Sequence, residues 1–215
     1  RHPGAGTDRK DLGARRSDWA ATAGMAALAG LGLVGLVLWG FGYLGADGDG
    51  GFGYYALNLL SPVWPHQSWL LGGLAPARLI AGGVGSGMEG YNWIGLGTAG
   101  LVVLVILLAP RAIRPAIHRH EGLALALLGL ALLAVSTRVG LGDRVLMDID
   151  PIPAILEQFR SSGRFFWPVA YAVVIGAAVL LCRASRSGPA IVLALGLVQF
   201  VDAQPIRAEL RAWAN

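Results

Sequence analysis

The chain has 215 residues, of which 55% are apolar and only 14% charged, with a formal net charge of +4. A mean hydropathy of +0.59 excludes the balance of a water-soluble domain. The pI near 9.7 does not point to nucleic acid, because the basic residues flank apolar runs, where membrane topology accounts for them. A bilayer core takes roughly 20 apolar residues in a helix, and backbone amides left unpaired in hydrocarbon rule out open strands. The sequence therefore predicts an all-α fold, a polytopic transmembrane helix bundle of about five spans.

Residues 1–18 read as a flexible cytoplasmic connection that ends on Asp18, a helix N-cap. A transmembrane region, 19–201, follows. It holds five apolar runs free of charge: Trp19–Leu44, Trp93–Ala109, Gly122–Thr137, Trp167–Cys182 and Pro189–Val201. The first is comfortably long, the next three are near the limit, and the fifth is marginal without its flanks. The segments before, between and after these runs that share the N-terminal side carry ten of the 17 basic residues but four of the 13 acidic ones. The positive-inside rule then puts the N-terminus in the cytoplasm, loops 45–92 and 138–166 outside, and 202–215 as an external tail. Both ends read as cuts through a longer polypeptide. Pro168 suits the first turn of the fourth span, and Pro205 ends the fifth. Cys182 is the single cysteine, so no intrachain disulfide is available.

Loop 45–92 contains Phe52, Tyr54, Tyr55, Trp64, Trp69 and Tyr91. Such rings settle at the headgroup level, so the loop is expected to form an external aromatic-rich cap, or a lid over a lipid or sugar cavity. Asp47 and Asp49 are the weak metal candidates: two nearby carboxylates that would hold a divalent ion against a phosphate. The alternative is a polar turn closing the first helix. No cofactor is identified. Glu89, Tyr91 and Asn92 bring a carboxylate, a phenol and an amide to the start of the second span, where they serve either a substrate or an interfacial belt.

Loop 138–166 predicts a short interfacial helix over Ala154–Ser162, with Ile155, Leu156 and Phe159 on one face and Gly163 as its stop. Arg160 and Arg164 follow, before Phe165, Phe166 and Trp167. Guanidinium groups bind phosphate bidentately, so the two arginines are candidates for a lipid phosphate; the alternative is that they anchor a helix end. His118-Arg119-His120 reads as a solvated charge cluster in a cytoplasmic loop.

Three blocks, Gly53–Pro62 (GYYALNLLSP), Glu89–Gly97 (EGYNWIGLG) and Ser162–Pro168 (SGRFFWP) with Tyr171, together resemble a bacterial multi-pass membrane family of unknown function. Val201-Asp202 resembles that family's last membrane exit. The family is similar to the GT-C glycosyltransferases. The resemblance implies an inner-membrane protein whose partners are the bilayer and a polyprenyl-linked sugar, with the catalytic acid outside these residues. The competing functions are a flippase or transporter for a lipid-linked saccharide and a non-catalytic membrane scaffold. The charge-free spans count against ion-coupled transport.

Overall fold

The computed structural model describes residues 7–42, 52–75, 79, 90–151, 156 and 159–214. Seven α-helices dominate them: α1 (Thr7–Gly40), α2 (Leu96–Leu108), α3 (Pro110–Arg119), α4 (Glu121–Val135), α5 (Trp167–Ala184), α6 (Gly188–Asp202) and α7 (Gln204–Ala214). The chain divides into two compact units, Arg1–Asp47 and Gly48–Asn215. The first holds α1, which begins at Thr7. The expected flexible connection over 1–18 is thus helical along most of its length. The sequence of that stretch is rich in Ala, Leu, Arg and Lys, which are good helix formers.

The second unit is built on α2, α5 and α6. Leu101 and Val105 of α2 form a buried cluster with Ala177 and Leu181 of α5, covered by Ile191, Val192 and Leu195 of α6. Gly97 makes the close approach of α2 and α6 possible. A Cβ there would lie 2.2 Å from the Leu195 carbonyl oxygen and 2.7 Å from Gln199 Cβ. Away from this seam the helices face outward with large apolar side chains, such as Ile175 at 62% exposure and Leu193 at 67%. Contiguous apolar surface on that scale is what a lipid-facing helix carries.

Among the described residues, one helix, the 23-residue Ser162–Ala184, is long and apolar enough to cross a membrane. The number rises to three if each bent pair, α2 with α3 and α6 with α7, is one span. Membrane association follows from this. The apolar parts Leu28–Gly40 of α1 and Glu121–Val135 (α4) are shorter.

Several expectations are corrected. Pro110–Glu121 is not simply a loop: α3 occupies it, bent by 104° from α2. Ile113, Ala116 and Ile117 give it one apolar face, and Pro110 occupies its first turn. The fold is not purely helical either, because β1 (Arg138–Leu141) and β2 (Arg144–Asp148) pair antiparallel, with a bulge between Val139 and Gly140. Gly142, at φ 65°, takes the first position of the two-residue turn, as a type II′ hairpin requires. The interfacial helix over Ala154–Ser162 falls largely outside the described residues. Gly163 does not stop it, but lies within a 3-10 turn, Ser162–Phe166, that leads directly into α5. The rings of loop 45–92 do not form one cluster among the described residues. Tyr54 pairs with Tyr55, and Tyr91 with His66.

Candidate functional site

The first long connection, the hairpin turn and the start of α5 meet at the end of the bundle where α2 begins and α6 finishes. Three knots of buried polar side chains tie them together. Asn58 donates to the Gly142 carbonyl at 2.7 Å and accepts from its N–H at 3.0 Å, so one amide clamps a turn 84 positions away. It also accepts from the Leu60 N–H at 3.1 Å. Ser61 Oγ accepts from the Asn92 N–H at 2.6 Å, and the Asn92 side chain donates to the Gly163 carbonyl at 3.3 Å. The Gly163 N–H in turn donates to the Tyr55 carbonyl at 2.9 Å.

The third is Asp202, which is 1% exposed. One of its carboxylate oxygens accepts from Ser68 Oγ and, at 3.4 Å, from the Leu70 N–H. The other accepts from Trp93 Nε1 at 3.2 Å and from the Leu96 N–H at 3.0 Å. Leu96 opens α2, so the carboxylate meets the positive end of that helix dipole and one of its unpaired amides. Its own backbone carbonyl accepts from the Trp69 N–H at 3.0 Å. A buried carboxylate is costly unless its lone pairs are met, and here each oxygen has two donors. Asp202 is a junction that joins α6, α2 and the first connection.

This frame borders a cavity of about 460 Å³ lined by Tyr91, Asn92, Trp93, Phe166, Trp167 and Tyr171, among others, with Thr98 and Gln199 at its α2–α6 wall. Gln199 Oε1 accepts from the Thr98 N–H at 3.2 Å. Gly95, at φ 86°, allows this amide in; a Cβ there would lie 1.8 Å from Gln199 Nε2. The cavity presents mostly aromatic faces, because many of its polar atoms already have partners. The Tyr91 hydroxyl donates to the Trp64 carbonyl at 2.8 Å and accepts from the Gln67 N–H at 3.0 Å.

The structure brings Tyr91 and Asn92 to the cavity wall. Arg164 is not among the lining residues, but its guanidinium is 5.8 Å from the ring centre of Trp167, which is. Arg160 is set apart, 5.6 Å from the ring centre of Tyr55. Glu89, Asp47 and Asp49 lie outside the described residues. Among the described residues no group of three or more His, Cys, Asp or Glu gathers as a metal site. Sequence reasoning missed Asn58, Ser68, Trp93, Gln199 and Asp202 as parts of the site. A signal existed for Asp202: it is the one carboxylate directly ending a charge-free apolar run.

No curated protein and no solved structure matches the chain. A family whose members are described as a domain of unknown function, DUF6311, matches residues 8–204. That match covers nearly the whole chain, which therefore belongs to the DUF6311 family.

Proposed function

We propose that the chain is the membrane part of a GT-C-like glycosyltransferase of the bacterial inner membrane, and that its aromatic cavity receives a polyprenyl-phosphate sugar. In this reading α1, α2, α4, α5 and α6 are five spans, the N-terminus is cytoplasmic, and the cavity opens on the external side. The observation that carries it is the cavity itself: Trp93, Phe166, Trp167 and Tyr171 line it, and the Arg164 guanidinium is 5.8 Å from the Trp167 ring centre. Flat aromatic faces suit the C–H surfaces of a sugar, and the outward apolar faces of α5 and α6 suit a polyprenyl tail.

In sugar transfer an acceptor hydroxyl attacks the anomeric carbon while the bond to the lipid phosphate breaks. Negative charge then grows on the departing phosphate. In this reading Arg164 meets it, through charge-assisted bonds that strengthen as the charge develops. No residue of this chain is assigned the role of catalytic base.

The test is equilibrium binding of a polyprenyl phosphate to the wild type, Arg164→Lys and Arg164→Ala in nanodiscs, with folding checked separately. A bond to an ionised group contributes roughly 1.5–3 kcal/mol, about 10- to 150-fold in affinity. Arg164→Ala is expected to lose that much. Arg164→Lys keeps the charge without the fork and falls between. A folded alanine variant that binds as tightly as the wild type overturns the reading.

A further inference from the structure

We infer a second lipid site at the opposite end of the bundle: a groove for one anionic phospholipid, with its phosphodiester between Arg119 and Arg183 and an acyl chain along α2, α4 and α5. Two cavities compose it. The smaller, about 290 Å³, lies between α3 and the last turn of α5, and both Arg119 and Arg183 line it. The larger, about 440 Å³, runs between α2, α3, α4 and α5, with Val102, Ile106, Ile117, Leu127 and Val173 on its walls. Ala116 and Leu180 line both, so the charged cavity and the apolar one are neighbours on the same two helices, α3 and α5.

The electrostatics select the occupant. Two guanidinium side chains share the small cavity and no acidic residue lines it. The nearest acid in sequence, Glu121, is paired with His118 at 2.8 Å. Like charges brought together in this way are relieved by an anion, and arginine forks match phosphate oxygens. Helix α3 adds the second argument. Its 104° bend from α2 turns it across the bundle, with Ile113, Ala116 and Ile117 on the large cavity and Arg119 on the small one. That is the geometry of an amphipathic helix lying at headgroup level. Basic pockets between helices that open onto an apolar groove recognise anionic phospholipid headgroups. The inference requires only membrane association and is independent of sugar transfer.

The test uses native mass spectrometry of the purified chain titrated with dioleoylphosphatidylglycerol or dioleoylphosphatidylcholine. The wild type is expected to prefer the anionic lipid by at least about tenfold, the worth of one charge-assisted contact. The double variant Arg119→Gln/Arg183→Gln is expected to lose that preference. Both arginines are exposed, so melting without lipid should not change. Gly176→Leu is expected to weaken both lipids, because residue 176 lines the larger cavity and a Cβ there meets nothing within 4 Å. Excess inorganic phosphate should leave the lipid bound. Equal binding of the two lipids by the wild type overturns the inference, as does a preference that survives in the double variant. Full displacement by phosphate overturns it too, by showing a simple anion site. Should the double variant not fold, the wild-type comparison of the two lipids decides alone.

Discussion

Replacing Asp202 should weaken the fold out of proportion to the size of the change. In Asp202→Ala, the Leu96 N–H at 3.0 Å and Trp93 Nε1 at 3.2 Å lose a charged acceptor. The Ser68 hydroxyl loses its acceptor as well, while the Leu70 N–H, at 3.4 Å, has less to lose. Each well-made bond to an ionised group contributes about 1.5–3 kcal/mol. Two of them, in a site that no water fills after truncation, give about 3–6 kcal/mol. For a chain of this length each kcal/mol moves the midpoint by about 2–4 °C, so a fall of roughly 6–24 °C is expected. Asp202→Asn keeps one oxygen for two donors but turns an NH₂ toward the other two, and should lie about halfway. Thermal unfolding in detergent followed by intrinsic fluorescence measures both, and Trp93 emission should shift because its indole N–H loses its acceptor. An alanine variant melting within about 2 °C of the wild type, a shift worth no more than about 1 kcal/mol, would refute the view of Asp202 as the junction of three elements.

Gly97→Ala should destabilise the fold by about 1–3 kcal/mol of overpacking, since its Cβ would lie 2.2 Å from the Leu195 carbonyl oxygen; a calorimetric or fluorescence melt equal to wild type would contradict the packing of α2 on α6. Asn58→Leu should speed hydrogen exchange at Gly142 and through β1–β2, because it removes both bonds to the turn; protection equal to wild type would show that the hairpin holds itself. Single cysteines in place of Arg114, Arg183, Trp64 and Asp150, treated in intact cells with an impermeant maleimide, should label at 64 and 150 only. Labelling at 114 with none at 64 would reverse the orientation.

The apolar runs located the helices well, because a charge-free run fixes an element through its own composition. Four of the five runs became α2, α4, α5 and α6 with ends shifted by a few residues. Pro168 and Pro189 open α5 and α6, and Pro205 marks the passage to α7. Features of mixed composition were harder to read. Arg111, Arg114 and His118 hid α3 inside what looked like a charged loop, although its apolar face was spaced at helical intervals. The hairpin also left a trace, Gly142-Asp143 between Leu141 and Arg144, but so short an alternation competes with every glycine-rich turn in the chain. At the site, Tyr91, Asn92 and Arg164 were legible as chemistry near a membrane surface. Asn58, Ser68 and Asp202 were not, because their roles come from partners dozens to more than a hundred positions away.

If α2, α4 and α6 each span the bilayer, as the proposed five-span reading requires, their brevity has a mechanical consequence for the surrounding lipid. At 1.5 Å per residue, the 13 residues of α2 and the 15 each of α4 and α6 extend about 20–23 Å, against a hydrocarbon core of about 30 Å. Tilting shortens a helix's reach further and so offers no remedy. The bilayer itself must yield, drawing its headgroups toward the midplane around these helices at a cost of fractions of a kcal/mol for each ångström of mismatch. On that reading the protein carries its own dimple in the membrane, and thicker bilayers should resist accommodating it.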